Sequence, residues 1–286
     1  MNKLLLCLLC LLALACPASS ASPTYAVATQ AIPVFNRPAD AAAPQAAKTD
    51  SCGQVRSLEF IALPGTVFTI ISQSGPAGKQ IFEVRTDDYR PPPGVSLYLA
   101  SEHLRLQSER PPGRSRAASL RRDEVQRRLR SALGTPYVWG GNLRTGIVSA
   151  SADGLYAGLD CSGLLYEATG GTTPRNTADL VDFGRAVPIA GRSIDQLAAE
   201  LRPLDLLVWK GHVVIVLDSE QTIESILLCK RAGNGGVVTT PLRKRLQEIM
   251  RERTAADRWP NGAGQRPLFV VRRWIGSDST PTGQGF

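Results

Sequence analysis

Leu159-Asp160-Cys161-Ser162-Gly163-Leu164 decides how the rest of the chain is read. It sets one thiol where a loop meets a short apolar segment, Leu164-Leu165-Tyr166-Glu167-Ala168, which Gly170-Gly171 ends. That segment reads as the first turns of a buried helix. A cysteine at a helix N-terminus sits among unpaired backbone N–H groups at the positive end of the dipole, a setting that favours thiolate. A thiolate needs a base. His212 is the single histidine after residue 110, and it opens the strand-like run His212-Val213-Val214-Ile215-Val216-Leu217-Asp218. A lone cysteine with a distant lone histidine is the sequence form of a nucleophile brought to its base by the fold. The alternative is a buried structural cysteine and a strand-end histidine with its hydrogen bonds satisfied.

The 286 residues suffice for one large or two modest domains, and 43% hydrophobic with 20% charged residues predicts a true core. The net charge of +8 suits an anionic partner: nucleic acid, a membrane surface or an acidic wall polymer. Zinc-finger spacing is absent and the arginines are not interleaved with stacking aromatics, which argues against a nucleic-acid reader. A solvated basic face explains the charge equally well. With two histidines in the chain, one in each half, no metal site or cofactor is expected.

Lys3 followed by the apolar run Leu4 to Ala15 reads as a signal peptide over residues 1–21, too short for a comfortable membrane span, so export to the periplasm or cell envelope is expected. Cleavage fits after Ala15 or after Ala21. Leu14-Ala15-Cys16 also forms a weak lipoprotein box, making Cys16 a candidate lipid anchor. No other segment is long and apolar enough to span a bilayer. After the leader, Cys52, Cys161 and Cys229 remain, an odd set that suggests one free thiol. Cys52 and Cys229 are a candidate disulfide whose closeness spacing does not decide.

Residues 22–50 are rich in Ala, Pro, Thr and Ser and read as a flexible tether. Residues 51–105 carry short β-type runs, among them Leu58-Glu59-Phe60-Ile61-Ala62, Val67-Phe68-Thr69-Ile70-Ile71 and Ile81-Phe82-Glu83-Val84, punctuated by Pro64-Gly65, Gly75-Pro76 and Pro91-Pro92-Pro93-Gly94. They predict a small antiparallel barrel. Residues 106–117 form a polar linker. From 118 to 276 a second domain is expected, opening with a helix near 119–133 on which Leu120, Val125, Leu129 and Leu133 recur beside an arginine-rich face. Later come strands at 206–209, 212–218, 221–226 and 267–274 and a helix at 242–250. Residues 277–286 read as a flexible tail.

Five motifs follow one another in order: Tyr137-Val138-Trp139-Gly140-Gly141, Asp160-Cys161-Ser162-Gly163-Leu164, Pro174-Arg175, Pro203-Leu204-Asp205-Leu206 and His212-Val213-Val214-Ile215. Together they resemble the NlpC family of cysteine peptidases, which cut peptidoglycan stem peptides. The upstream β region resembles a bacterial Src-homology-3-like barrel. The resemblance implies an α+β, papain-like catalytic domain preceded by that small all-β barrel. It implies Cys161 as nucleophile and His212 as base. The third, orienting position of the family is a His, Asn or Gln, and here falls on Glu224, which otherwise reads as an exposed strand glutamate. Tyr137 matches a tyrosine beside the nucleophile or is a core aromatic. Asp160 and Ser162 match residues that bind the free amine of a stem peptide, or are a turn and a helix cap. Arg175 either faces a substrate carboxylate or pairs on the surface.

Departures from the family pattern are Leu204 in place of a glycine, Asp179 in place of a glutamine, and a longer loop between Gly141 and Cys161. The activity so implied is that of a secreted endopeptidase acting on peptidoglycan stem peptides at the bond between γ-D-glutamate and a diamino acid such as meso-diaminopimelate. The rivals are another thiol amidase or acyltransferase on the same fold, and a non-catalytic wall-binding protein.

Overall fold

The computed structural model describes residues 24–114, 120–149, 152–231, 234–260 and 267–275. The expected signal peptide, Cys16 and the expected tail lie outside the described residues. In chain order the elements are β1 (Tyr25–Ala28), β2 (Ile32–Phe35), α1 (Pro38–Ala42), β3 (Leu58–Ala62), β4 (Val67–Ser74), β5 (Ile81–Arg85), β6 (Leu97–Ala100) and β7 (Leu104–Gln107). Then follow α2 (Arg122–Ser131), β8 (Asn142–Leu143), β9 (Ile147–Ser149), β10 (Ala152–Leu155), β11 (Gly158–Leu159), α3 (Cys161–Ala168), α4 (Thr177–Leu180), β12 (Arg185–Val187) and α5 (Ile194–Glu200). The last are β13 (Leu206–Trp209), β14 (His212–Val216), β15 (Gln221–Leu227), β16 (Gly235–Pro241), α6 (Leu242–Glu252), β17 (Thr254–Ala255) and β18 (Leu268–Arg273). Among the described residues no helix is long and apolar enough to cross a membrane.

The N-terminal strands form one antiparallel seven-stranded sheet in the order β3-β2-β6-β5-β4-β1-β7. Alternation along each strand turns Val34, Phe60, Phe68, Phe82, Val84, Leu97 and Leu99 into one buried cluster. This overturns the tether expected over 22–50. Tyr25–Ala28 pairs with both β4 and β7, and Ile32–Phe35 pairs with β3 and β6. Small residues such as Ala26 and Ala28 lower the hydropathy signal, yet both are buried strand positions. The linker expected over 106–117 is also docked in part. Gln107 ends β7, and the Arg114 guanidinium donates to the carbonyls of Gly170 and Gly171.

The second sheet runs β12-β18-β13-β14-β15-β16, with β17 parallel to β18. One face packs on α2 and α3 through Leu129, Leu164, Leu165, Val208, Val213, Ile215 and Ile223. The other face packs on α5 and α6 through Leu197, Leu207, Val214, Val216, Leu246 and Ile249. Strands covered on both faces read as continuous apolar runs, which explains Leu206-Leu207-Val208 and Val213-Val214-Ile215-Val216. Both sheets are antiparallel apart from the β17–β18 pair, so the chain is a β-rich unit followed by an α+β unit.

The two units are fastened together near the later site. Cys52 and Cys229 form a disulfide, leaving Cys161 as the free cysteine among the described residues. The carbonyl of Cys52 accepts from Asn234 Nδ2 at 2.7 Å. Gln54 Oε1 accepts from the Trp139 backbone N–H at 2.8 Å, and the Arg56 guanidinium stacks over the Trp139 ring at 4.3 Å. Gly140 has φ +71°, and a Cβ there would stand 2.5 Å from the Leu58 carbonyl oxygen, so this junction requires glycine.

Candidate active site

Asp160 is the N-cap of α3, its Oδ1 accepting from the Gly163 N–H at 2.6 Å. That cap fixes the first helical turn and puts Cys161 at its first position, with the residue 7% exposed. Gly163 is required by packing rather than by its dihedral: a Cβ there would overlap the Gly141 carbonyl oxygen at 1.9 Å. The close crossing of α3 over the Gly140-Gly141 segment thus depends on the glycine of the Cys-Ser-Gly triplet.

β13 and β14 form a tight hairpin with Trp209 opposite His212 and Gly211 in its turn at φ +104°. The hairpin delivers His212 to the thiol, and Cys161 Sγ lies 3.9 Å from the Gly211 carbonyl oxygen. His212 Nε2 sits 2.6 Å from Oε2 of Glu224 on β15. Nε2 being so engaged, Nδ1 is the nitrogen left to meet the thiol. Burial disfavours a charged ring, but the hydrogen bonds with Cys161 and Glu224 outweigh it and raise His212 from 6.5 to about 9. Burial likewise pushes Glu224 upward, and its bonds to His212 and Arg245 outweigh that and lower it. The structure therefore brings Cys161, His212 and Glu224 together, and favours a proton on the imidazole. Glu224 is 1% exposed, so it is not the exposed strand glutamate of the alternative reading. The Trp209 ring, 5.1 Å from the His212 ring, flanks the imidazole, with the Arg253 guanidinium 4.5 Å over the indole.

Tyr137 is 9% exposed, and burial first, then the charges of Asp160 and Cys161, raise its phenol far above the ordinary range. It is both an aromatic of the core and a neighbour of the thiol. Asp160, Ser162 and Arg175 form one buried network. Arg175 is 3% exposed, and its five N–H donors all have acceptors inside the protein: Asn142 Oδ1, Asp160 Oδ1 and Oδ2, Ser162 Oγ and the Gly141 carbonyl. Both readings of Arg175 made from sequence are thereby corrected. It neither pairs on the surface nor has a donor to spare for a substrate carboxylate. It holds Asp160, at 2.7 and 3.0 Å, next to Cys161.

Several residues at the site have no signature in the sequence. Arg245, from α6, grips Glu224 through Nε to Oε1 at 2.6 Å and Nη2 to Oε2 at 2.8 Å. Ser225 Oγ donates to the Leu159 carbonyl at 2.7 Å, tying β15 to the residue before the Asp160 cap. From the loop between β5 and β6, Tyr89 donates to Glu59 Oε2 at 2.5 Å and stacks on Phe60. Tyr89 is also close enough to Asp160 and Arg175 to feel their charges. A residue on a helix packed behind the sheet, on a neighbouring strand or in a loop of the other unit carries no periodic signal that could have found these groups.

A thiol at a helix N-terminus, a ring hydrogen-bonded to it and a buried carboxylate fixing that ring form one connected set of groups. Part of the chain is similar to a curated protein. The peptidoglycan endopeptidase RipB of Mycobacterium tuberculosis, in strains CDC 1551 / Oshkosh and ATCC 25618 / H37Rv alike, is 33% identical over 129 residues. The match covers 42% of this chain and 47% of the relative, so the chain spans about half the length of the curated relatives it matches. No family model matches the chain.

Proposed function

We propose that the chain is an exported cysteine endopeptidase of the NlpC type that cleaves peptidoglycan stem peptides. The observation that carries this reading is His212, bonded through Nε2 to the buried Glu224 and facing a thiol on the N-terminus of α3. The similarity to RipB supplies the substrate class. In this reading α3 packed on the β14–β15 face is the papain-like core, and the first sheet is an Src-homology-3-like barrel.

The reaction follows from the groups in place. The Cys161 thiolate attacks the amide carbonyl carbon, and the carbonyl electron pair moves to oxygen. Charge on that oxygen develops beside the N-terminus of α3, whose dipole stabilises it. The tetrahedral adduct collapses as the C–N bond breaks, and the His212 imidazolium gives its proton to the departing amine. Neutral His212 then takes a proton from water, which attacks the thioester; the stem-peptide acid leaves and Cys161 is regenerated as thiolate with His212 as imidazolium. Glu224 stabilises the imidazolium in both half-reactions.

The bond read as cleaved joins the γ-carboxyl of D-glutamate to a diamino acid. Glu59, whose Oε2 accepts from Tyr89, offers a carboxylate for an ammonium, while the charge of Asp160 is matched by Arg175. The barrel so placed selects peptides with a free N-terminal L-Ala.

Purified protein incubated with defined stem peptides, free or N-acetylated, tests the reading by product mass. Cleavage of the free peptide at the γ-D-glutamyl bond, lost in Cys161→Ala, is expected. Cleavage surviving in Cys161→Ala overturns the assignment, and equal cleavage of capped and free peptides removes the role given to the barrel.

A further inference from the structure

Arg245 lies where α6 should carry an apolar residue. Leu242, Leu246 and Ile249 are the buried residues of that helix, and position 245 belongs to the same i, i+3, i+4, i+7 stripe. Its side chain is only 15% exposed, and desolvating a guanidinium is costly unless it finds a charge partner. The partner is Glu224, itself 1% exposed. Both carboxylate oxygens are held: Oε1 by Nε at 2.6 Å and Oε2 by Nη2 at 2.8 Å, with Nη1 3.3 Å from Glu248. Oε2 is at the same time 2.6 Å from His212 Nε2.

We propose that Arg245 is a positioning residue of the thiol site: its fork fixes the rotation of the Glu224 carboxylate, so that Oε2 always faces His212, and keeps that carboxylate ionised. The inference rests on the assignment of Cys161, His212 and Glu224 as the working groups. Two physical consequences separate it from simple packing. First, a carboxylate pinned on both oxygens cannot rotate away from the ring, so the imidazole keeps one orientation toward the thiol. A lysine, a point charge without the fork, cannot supply this. Second, the charges balance. Arg245 and Glu224 sum to zero, so the thiolate–imidazolium pair forms next to a neutral ion pair. Without Arg245 the same pair would form beside a buried lone carboxylate, which neutralises itself by taking up a proton at higher pH. The charged groups around Glu224 are His212 from β14, Arg245 and behind it Glu248 from α6, and through His212 the Cys161 thiol from α3. β16, the other neighbour, carries no titratable side chain.

The test reads the thiolate directly. The rate of Cys161 alkylation by iodoacetamide is followed against pH in the full chain, with the modified peptide identified by mass, alongside hydrolysis of one stem peptide. Arg245→Gln is expected to lower the plateau rate about tenfold, the worth of one charge-assisted hydrogen bond. It should also move the acid limb up by about one pH unit through loss of the opposite charge. Arg245→Lys should leave the acid limb in place and still lower the plateau, because it restores charge without the fork. In a Glu224→Gln background, Arg245→Gln should no longer move the acid limb. A folded Arg245→Gln with wild-type limb and plateau overturns the proposal. Should that variant not fold, a folded Arg245→Lys with wild-type plateau overturns it equally. A wild type that alkylates normally but cleaves no stem peptide would instead sink the peptidase reading, leaving the effect of Arg245 on the thiol still measurable.

Discussion

Asn142 closes a two-bond ring with the backbone of Ile61: Ile61 N–H donates to Oδ1 and Nδ2 donates to the Ile61 carbonyl, each at 2.9 Å. The side chain thereby acts as one more rung on the edge of β3, joining the first sheet to β8. The same Oδ1 accepts from Arg175 Nε at 3.1 Å, and Arg175 holds Asp160, the cap of the helix that Cys161 opens. One amide thus links the first sheet to the helix cap before Cys161.

Asn142→Ala should therefore do more than loosen a loop. It leaves the buried N–H and carbonyl of Ile61 without their partner, at about 1–3 kcal/mol for each unsatisfied group. A loss of about 2–6 kcal/mol in denaturant unfolding is expected on that basis. Reactivity of Cys161 should fall with it, because Arg175 loses one of its five acceptors. A folded variant with unchanged stability would show that the first sheet is held by the disulfide and the Gln54–Trp139 bond alone.

Leu204 illustrates two effects of opposite sign. Its φ is +72°, the left-handed region in which a glycine is at ease, and a branched side chain there costs about 1–2 kcal/mol. Yet Leu204 is 1% exposed and belongs to the core that packs under α3. Removing a buried leucine side chain costs about 2–5 kcal/mol. Burial outweighs strain, so Leu204→Gly should lower the midpoint of unfolding although it relieves the backbone. A variant more stable than the wild type would mean that the strain is the larger of the two.

Much of this was open to reading in the sequence, for physical reasons that differ by element. The doubly buried strands β13 and β14 announce themselves as apolar runs, and α6 by its Leu242, Leu246 and Ile249 stripe. The Cys161–His212 pairing was readable because each residue is alone in its region. β1 and β2 carry a weak local signal because each is only four residues long and set among Pro, Thr, Gln and Asn, and their pairing partners, from Leu58 opposite Phe35 to Gln107 opposite Tyr25, are distant in the chain. β16, Gly235-Gly236-Val237-Val238-Thr239-Thr240-Pro241, begins with two glycines that blur a strand signal; its place is set by seven pairings with β15. α5 was passed over despite its capping box, Ser193 with Gln196. Arg175 was misjudged because arginine is rarely buried, and only the fold supplies its five acceptors. Arg245 is a product of α6 lying across β15, a relation that no spacing encodes.

The hydrogen bond between His212 and Glu224 has a pH signature with a definite sign. His212 is held at about 9 in the folded protein against 6.5 for a free imidazole. Between those values the folded state keeps a proton that the unfolded state has released, so stability falls as pH rises through that window, and the full contribution is present below 6.5. Glu224 works in the other direction. Its pKa is lowered on folding, so its contribution is present above 4.5 and is lost as pH falls through the lower folded value. The wild-type melting temperature should therefore decline from about pH 6.5 to pH 9. Cys161→Ala and Glu224→Gln, each removing one of the bonds that raise the ring, should flatten that decline. The two Glu224 variants also separate orientation from charge. Glu224→Gln keeps an acceptor for Nε2–H and should retain much of the stem-peptide hydrolysis. Glu224→Ala loses both orientation and charge, leaves Arg245 facing a void, and should lose on the order of tenfold to a thousandfold in rate. Melting curves across the pH range and hydrolysis of one defined stem peptide by all four proteins decide the matter. A flat wild-type curve, or a folded Glu224→Ala with wild-type rate, would remove Glu224 from the working site and return it to the role of a core ion-pair partner for Arg245.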